Sequence, residues 1–251
     1  MLTSAVLQSP QQSPRSAWAD YALPAVLPAV ALATLGLLGA GGLLLVGTVL
    51  AYMVMVAVVA RQASRHRAAI GWASRVTLTR AGLVVVLGAS LAVPHVLHEQ
   101  AWWLVGLAGL VLALDGVDGS LARRLGESSA FGARFDMEVD AALILVLCVA
   151  VMMAGLAGPW VLAIGLMRYA FVGAARLWPW LSAPLPPSLR RKVVCVWQVA
   201  ALMLSLTPVI GPALAVPILG SALVTLALSF AADVAWLRRN FLSDACWQES
   251  V

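Results

Sequence analysis

Residues 22–60 read ALPAVLPAVALATLGLLGAGGLLLVGTVLAYMVMVAVVA, 39 positions without one charged side chain. As a single helix rising about 1.5 Å per residue this run would measure about 58 Å, nearly twice a hydrocarbon core of about 30 Å. It therefore divides into two spans, near 22–38 and 42–60, with the turn at Gly39-Ala40-Gly41-Gly42. The rest of the chain has the same character. Of 251 residues, 62% are hydrophobic and only 11% charged, with a mean hydropathy of +0.95. A water-soluble domain needs roughly a quarter charged residues to cover its surface. Secreted, nuclear and disordered classes are excluded, and the expected fold is an all-α integral membrane protein.

Outward from this stretch, six further spans are expected near 76–97, 101–119, 136–156, 159–178, 193–210 and 213–236, making a bundle of eight. The charges test that count. The loops around 39–42, 95–100, 155–159 and 210–212 hold no Lys or Arg, whereas clusters at 61–75, 123–134, 190–192 and 238–239 alternate onto the other face. The positive-inside rule makes that face, with both termini, cytoplasmic. The expected organisation is a polar tail over 1–21, two helices over 22–60, a basic cytoplasmic loop over 61–75, a six-helix core over 76–237 and a cytoplasmic tail over 238–251.

The net charge of +5 arises from 16 basic residues against 11 acidic ones, and Lys192 is the sole lysine. It reads as membrane orientation rather than nucleic-acid binding, which would need a soluble basic face. Cys148, Cys195 and Cys246 are odd in number and scattered, so neither a disulfide framework nor a metal knuckle is expected.

Four of the 11 acidic residues, Asp115, Asp118, Asp136 and Asp140, fall within 26 positions at the ends of two neighbouring spans. An aspartate at the centre of a span costs roughly 2.5–3.5 kcal/mol, so this cluster calls for a cationic partner. At about 100° per residue, Asp115, Asp118, Gly119 and Ala122 share one helix stripe, and Gly132, Asp136 and Asp140 share another. Ser128 or Ser129 suits the N-cap of the second helix. Counted from the outer span ends, Asp115 and Asp140 lie about 21 and about 24 Å deep, in the cytoplasmic third. Converging carboxylates suit hard divalent cations, Mg²⁺ or Mn²⁺, and the charge suits two ions. Glu138 points away from this stripe and is expected to pack against another span or to pair with a neighbour such as Arg134.

Read together, Asp115-Gly-Val-Asp118-Gly119-Ser-Leu-Ala122-Arg123, eight residues, then Gly132-Ala-Arg-Phe-Asp136-Met-Glu-Val-Asp140 resembles the signature of the CDP-alcohol phosphatidyltransferase family. Eight residues at set spacing match, and the resemblance extends over the six spans from about Val76 to Trp236. Thr77-Leu-Thr-Arg80 matches a further Thr-x-x-Arg element, with Ala73-Ser74 standing where members often carry Pro-Asn. The resemblance implies transfer of a phosphatidyl group from a CDP-linked lipid, typically CDP-diacylglycerol, to the hydroxyl of a small alcohol, releasing CMP. It further implies two divalent ions held by Asp115, Asp118, Asp136 and Asp140, with Asp140 as the catalytic base. Gly119, Ala122, Arg123, Gly132 and Thr77 are implied nucleotide contacts. The small residues would admit a nucleotide to the helix surface, and Arg123 offers a planar fork for phosphate oxygens.

Arg168 lies inside a span, where a charge is a site hypothesis. As an acceptor contact it would favour a phosphorylated alcohol such as glycerol 3-phosphate or an inositol phosphate, and as a structural residue it would pair with Asp233 or snorkel to the interface. Asp233 itself is expected to be solvated at the interface, and Gln198 to act as interhelical glue. Arg190, Arg191 and Lys192 are expected as membrane-face anchors. Two rival readings are a divalent-cation transporter and a hydrolase of CDP-diacylglycerol. The first needs polar groups through the outer half of the spans, which is almost free of them. The expected setting is a bacterial inner membrane with the site facing the cytoplasm, in contact with membrane lipid, in a homodimer; the Ala-, Leu- and Arg-heavy usage suggests the source.

Overall fold

The computed structural model of the chain describes residues 14–65, 72–125, 130–183, 185–186 and 188–248, and among them every regular element is helical. Two compact units divide these residues. The first takes in the N-terminal helices as far as Val86 together with Ala113–Phe135, and the second Leu87–Leu112 together with the chain from Asp136 onward.

In the first unit, α1 (Pro14–Leu37) and α2 (Gly42–Arg65) form a helical hairpin. The turn falls in the expected glycine run. Gly39 adopts a φ of 90°, a left-handed conformation that costs a glycine little, and backbone bonds from Leu38 to Thr34 and from Ala40 to Leu35 close the end of α1. Helix α3 (Trp72–Ser90) packs on this hairpin at Gly82. A β-carbon there would lie 2.5 Å from Pro28 Cγ of α1 and 2.7 Å from Tyr52 Cε2 of α2, so only glycine admits both neighbours. Every residue from Thr77 to Val84 is buried.

The second unit begins near the end of α3, where the structure departs from the expected span 76–97. Helix α3 stops at Ser90, and Pro94 opens a short helix α4 (Pro94–Glu99). Proline lacks an N–H and pushes the preceding residue out of the helical region, and Val93 is accordingly extended, with φ −113° and ψ 93°. Helices α5 (Ala101–Leu125) and α6 (Ala130–Met153) follow, then a turn at Gly155 with φ 71° and a single 3-10 turn at Pro159–Val161. Helix α7 (Leu162–Leu177), a second 3-10 turn at Pro179–Ser182, α8 (Leu189–Leu206) and α9 (Pro212–Gln248) complete the chain. Helices α6 and α7 approach backbone to backbone at Gly165, where a β-carbon would sit 2.9 Å from Leu145 Cα. Phe171 of α7 meets Phe230 of α9 edge to face with ring centres 5.4 Å apart. Trp197 of α8 donates to Ser221 Oγ of α9 at 3.2 Å.

Other boundaries also move. Helix α1 starts at Pro14, inside the stretch expected as a polar tail, and α9 continues to Gln248, beyond the expected end of the core at 237. The suggested N-caps Ser128 and Ser129 lie outside the described residues.

The fold is that of an all-α membrane protein. Among the described residues, Gly42–Gln62, Pro159–Leu177 and Pro212–Phe241 are long and apolar enough to cross a bilayer, and Pro24–Leu37 and Ala101–Gly116 are shorter apolar runs. Large aliphatic side chains face outward, Leu37 at 88% and Leu43 at 89% exposure, which suits lipid as the solvent. Among the described residues, α6 and α8 fall short of such an apolar run because each carries charged residues in one terminal segment: Asp136, Glu138 and Asp140 in α6, and Arg190, Arg191 and Lys192 in α8.

Candidate active site

On α6 the i, i+4, i+8 spacing sets Gly132, Asp136 and Asp140 along one stripe, as the sequence requires. Within the second unit, carboxylate oxygens of Asp136 and Asp140 lie within 4.8 Å of one another and both residues are partly exposed; Asp115 of α5, also partly exposed, belongs to the first unit. Two hard oxygen donors one helical turn apart are a pair of the kind that a divalent cation such as Mg²⁺ or Mn²⁺ takes. Helix α5 continues past this point to Leu125, but the side chains of Asp118, Gly119, Ala122 and Arg123 lie outside the described residues. Gly132 is partly exposed, and Thr77 is buried in α3 one turn before Arg80.

Arg80 is the site residue to which the sequence reading assigned no role. It is fully buried, and its Nη2 lies 2.9 Å from Asp115 Oδ1. A guanidinium out of reach of water is tolerated only with an anionic partner, and the pair in turn holds the Asp115 carboxylate in one orientation. The available signal was its position in Thr77-Leu-Thr-Arg80, where it is the one Asp, Glu, Lys or Arg of the expected span 76–97.

The remaining charges of the second unit pair differently from expectation. Glu138 bonds not to Arg134 but to Arg168 of α7, with Nη2 to Oε1 at 2.7 Å. This gives Arg168 a partner other than Asp233 while leaving its Nε buried and without a hydrogen-bond partner among the described residues. Asp233, expected in solvent, is only 9% exposed. Arg190 of α8 pairs closely with it, and Arg191 Nη1 lies 3.9 Å from its other oxygen. The basic cluster at the start of α8 therefore does more than anchor a membrane face, because it joins α8 to α9 through a buried carboxylate.

Arg168, Arg191 and Asp233 border a cavity of about 510 Å³ in the second unit. Asp140, Arg168, Arg191, Gln198 and Asp233 supply its polar lining, and aliphatic and phenyl groups such as Ile164 and Phe171 supply the rest. The size and the mix of apolar wall with few polar groups are those of a small-molecule site. Asp140 thus belongs both to the carboxylate pair of α6 and to the cavity wall.

In comparison with known proteins, residues 70–232, well over half of the chain, match the family model described as CDP-alcohol phosphatidyltransferase. No curated protein and no solved structure matches the chain.

Proposed function

Because the chain belongs to the CDP-alcohol phosphatidyltransferase family, we propose that it transfers a phosphatidyl group from CDP-diacylglycerol to a small alcohol bound in the cavity of the second unit, releasing CMP. Membership itself indicates phosphatidyl transfer in phospholipid synthesis, with a CDP-alcohol donor and an alcohol acceptor. The observation that carries the finer reading is the double position of Asp140, in the carboxylate pair of α6 and on the cavity wall.

Asp115, Asp118, Asp136 and Asp140, the four aspartates of the motif, would hold the divalent ions, and an all-oxygen donor set fits them. Bound there, such ions supply charge neutralisation for a diphosphate and its departing CMP. The chain's own residues do the rest. The Asp140 carboxylate removes the proton of the acceptor hydroxyl, whose oxygen forms a bond to the phosphorus bearing the diacylglycerol. The bond from that phosphorus to the CMP oxygen breaks, and CMP leaves with the electron pair. Arg80 keeps Asp115 oriented through the reaction. Arg168, with Nε unmatched, donates to an acceptor phosphate, which favours glycerol 3-phosphate as acceptor. Gly119, Ala122, Arg123, Gly132 and Thr77 are assigned to the cytidine diphosphate. The distribution of arginine supports a site facing the cytoplasm of a bacterial inner membrane.

The test is CMP release from CDP-diacylglycerol by the purified full chain with Mg²⁺ or Mn²⁺, across glycerol 3-phosphate, myo-inositol 1-phosphate, serine, inositol and choline. Release with one phosphorylated alcohol is expected. Release that needs no acceptor would mark a hydrolase, and a folded sample releasing none with any acceptor would refute the assignment.

A further inference from the structure

Gln198 of α8 is 4% exposed and lines the cavity, yet its amide nitrogen has no hydrogen-bond partner among the described residues. An interhelical bond, the ordinary reason for a glutamine inside a span, is not made by this amide nitrogen among the described residues. A buried donor without an acceptor is destabilising, so such groups persist where something else meets them. The cavity offers that something. Arg168, another residue of the same lining, also has a buried N–H without a partner among the described residues, so two residues with unmatched donors line one space that Asp140 also borders.

The two donors differ in kind. A guanidinium carries a fixed charge and suits a phosphate, whereas a neutral amide suits a neutral oxygen. We propose that Gln198 is a specificity-determining residue of the acceptor site, donating a hydrogen bond to a second hydroxyl of the acceptor, one that does not react. The acceptor is then a polyol, with one hydroxyl for Asp140, another for Gln198 and its phosphate toward Arg168. This inference rests on the proposed transferase reading. A site built around a hydrogen bond to a hydroxyl strongly rejects the analogue lacking it, because its own donor is then left buried and unmatched.

The experiment takes whichever of glycerol 3-phosphate and myo-inositol 1-phosphate supports CMP release and compares it with an analogue lacking one non-reacting hydroxyl, 3-hydroxypropyl phosphate in the first case and a monodeoxy inositol phosphate in the second. The wild-type chain is expected to favour the full polyol at least about tenfold in kcat/KM. In Gln198→Leu this preference falls to within about threefold, through a rise in the polyol KM, while the KM for CDP-diacylglycerol is unchanged. Should Gln198→Leu give no folded protein, Gln198→Met, of nearly native length, carries the same expectation. A wild type indifferent to the missing hydroxyl overturns the proposal, and so does a variant that keeps the wild-type preference. Equal loss on both acceptors, which would assign Gln198 to the phosphate, and exclusive use of acceptors with a single hydroxyl also overturn it. Each of those outcomes leaves the transferase reading standing, whereas a wild type releasing no CMP at all refutes that reading and this inference with it.

Discussion

Replacing Gly165 by alanine should separate α6 from α7 and so damage stability and turnover together. The added β-carbon would lie 2.9 Å from Leu145 Cα, 3.0 Å from Leu145 Cδ1 and 3.3 Å from Leu145 Cβ. Ordinary carbon contacts begin near about 3.5 Å, so the two helices must part by roughly half an ångström or more. Because the obstacle is backbone, no rotamer change relieves it. Overpacking of this kind costs about 1–3 kcal/mol, or roughly 2–12 °C in Tm for a chain of this size. Catalysis should fall further, because Leu145 is five residues from Asp140 and Gly165 three from Arg168, and displacements near 1 Å can cost about a hundredfold in rate. Gly173 provides the control on the same helix. Nothing lies within 4 Å of its β-position, so Gly173→Ala should be neutral or stabilising by up to about 1 kcal/mol through helix propensity. Thermal unfolding in detergent and CMP release with glycerol 3-phosphate measure both variants. Equal melting temperatures for the two would refute the close crossing at Gly165.

Asp140→Asn should leave the fold intact and lower CMP release by about 10²–10⁴-fold, and a rate near wild type would dismiss Asp140 as the base. A chelator should abolish turnover, with Mg²⁺ or Mn²⁺ but not K⁺ restoring it in the same assay. Arg80→Met keeps the volume but removes the partner of Asp115. Breaking a buried pair costs about 3–5 kcal/mol, reduced here to roughly 1–3 because Asp115 is 36% exposed, and an unchanged Tm would count against the pair. Arg190→Met should destabilise by a similar roughly 1–3 kcal/mol, since Asp233 is buried and Arg191 compensates only from 3.9 Å, again read by thermal unfolding.

Features governed by local rules were legible in the sequence. The turn at Gly39 follows from glycine's conformational freedom, and the stripe of Gly132, Asp136 and Asp140 follows from helical periodicity. Pro94 was legible in principle, as a residue that ends the helix before it, but the unbroken hydropathy of 76–97 outweighed it in the reading. Pairings across helices were not legible. Glu138 has Arg134 four residues away, the partner that local geometry offers, yet it bonds to Arg168, 30 positions distant. Periodicity says which residues share a face and leaves open how the neighbouring helix is rotated. The same gap hid the link between Arg190 and Asp233 and gave Gln198 the role of glue, because an unmatched donor is visible only once every surrounding acceptor has been placed.

The α1–α2 hairpin, which the family match at 70–232 does not include, gains a physical role from the position of Gly82. Gly82 and Arg80 are two residues apart, so about 200° separates them around α3 and they occupy opposite faces. The hairpin covers the Gly82 face with Pro28 and Tyr52, and Asp115 meets the other face through Arg80. A helix buried on both sides carries no polar stripe, which accounts for the unbroken burial from Thr77 to Val84. Without the hairpin, one side of α3 would lose its close packing, and lipid tails would have to fill the contour left at Gly82. Packing at a glycine rather than through long side chains fixes the distance between helices, because backbone and ring atoms in contact have little room to adjust. The two additional helices therefore bear on Asp115 through α3, by holding in place the helix whose arginine pairs with it.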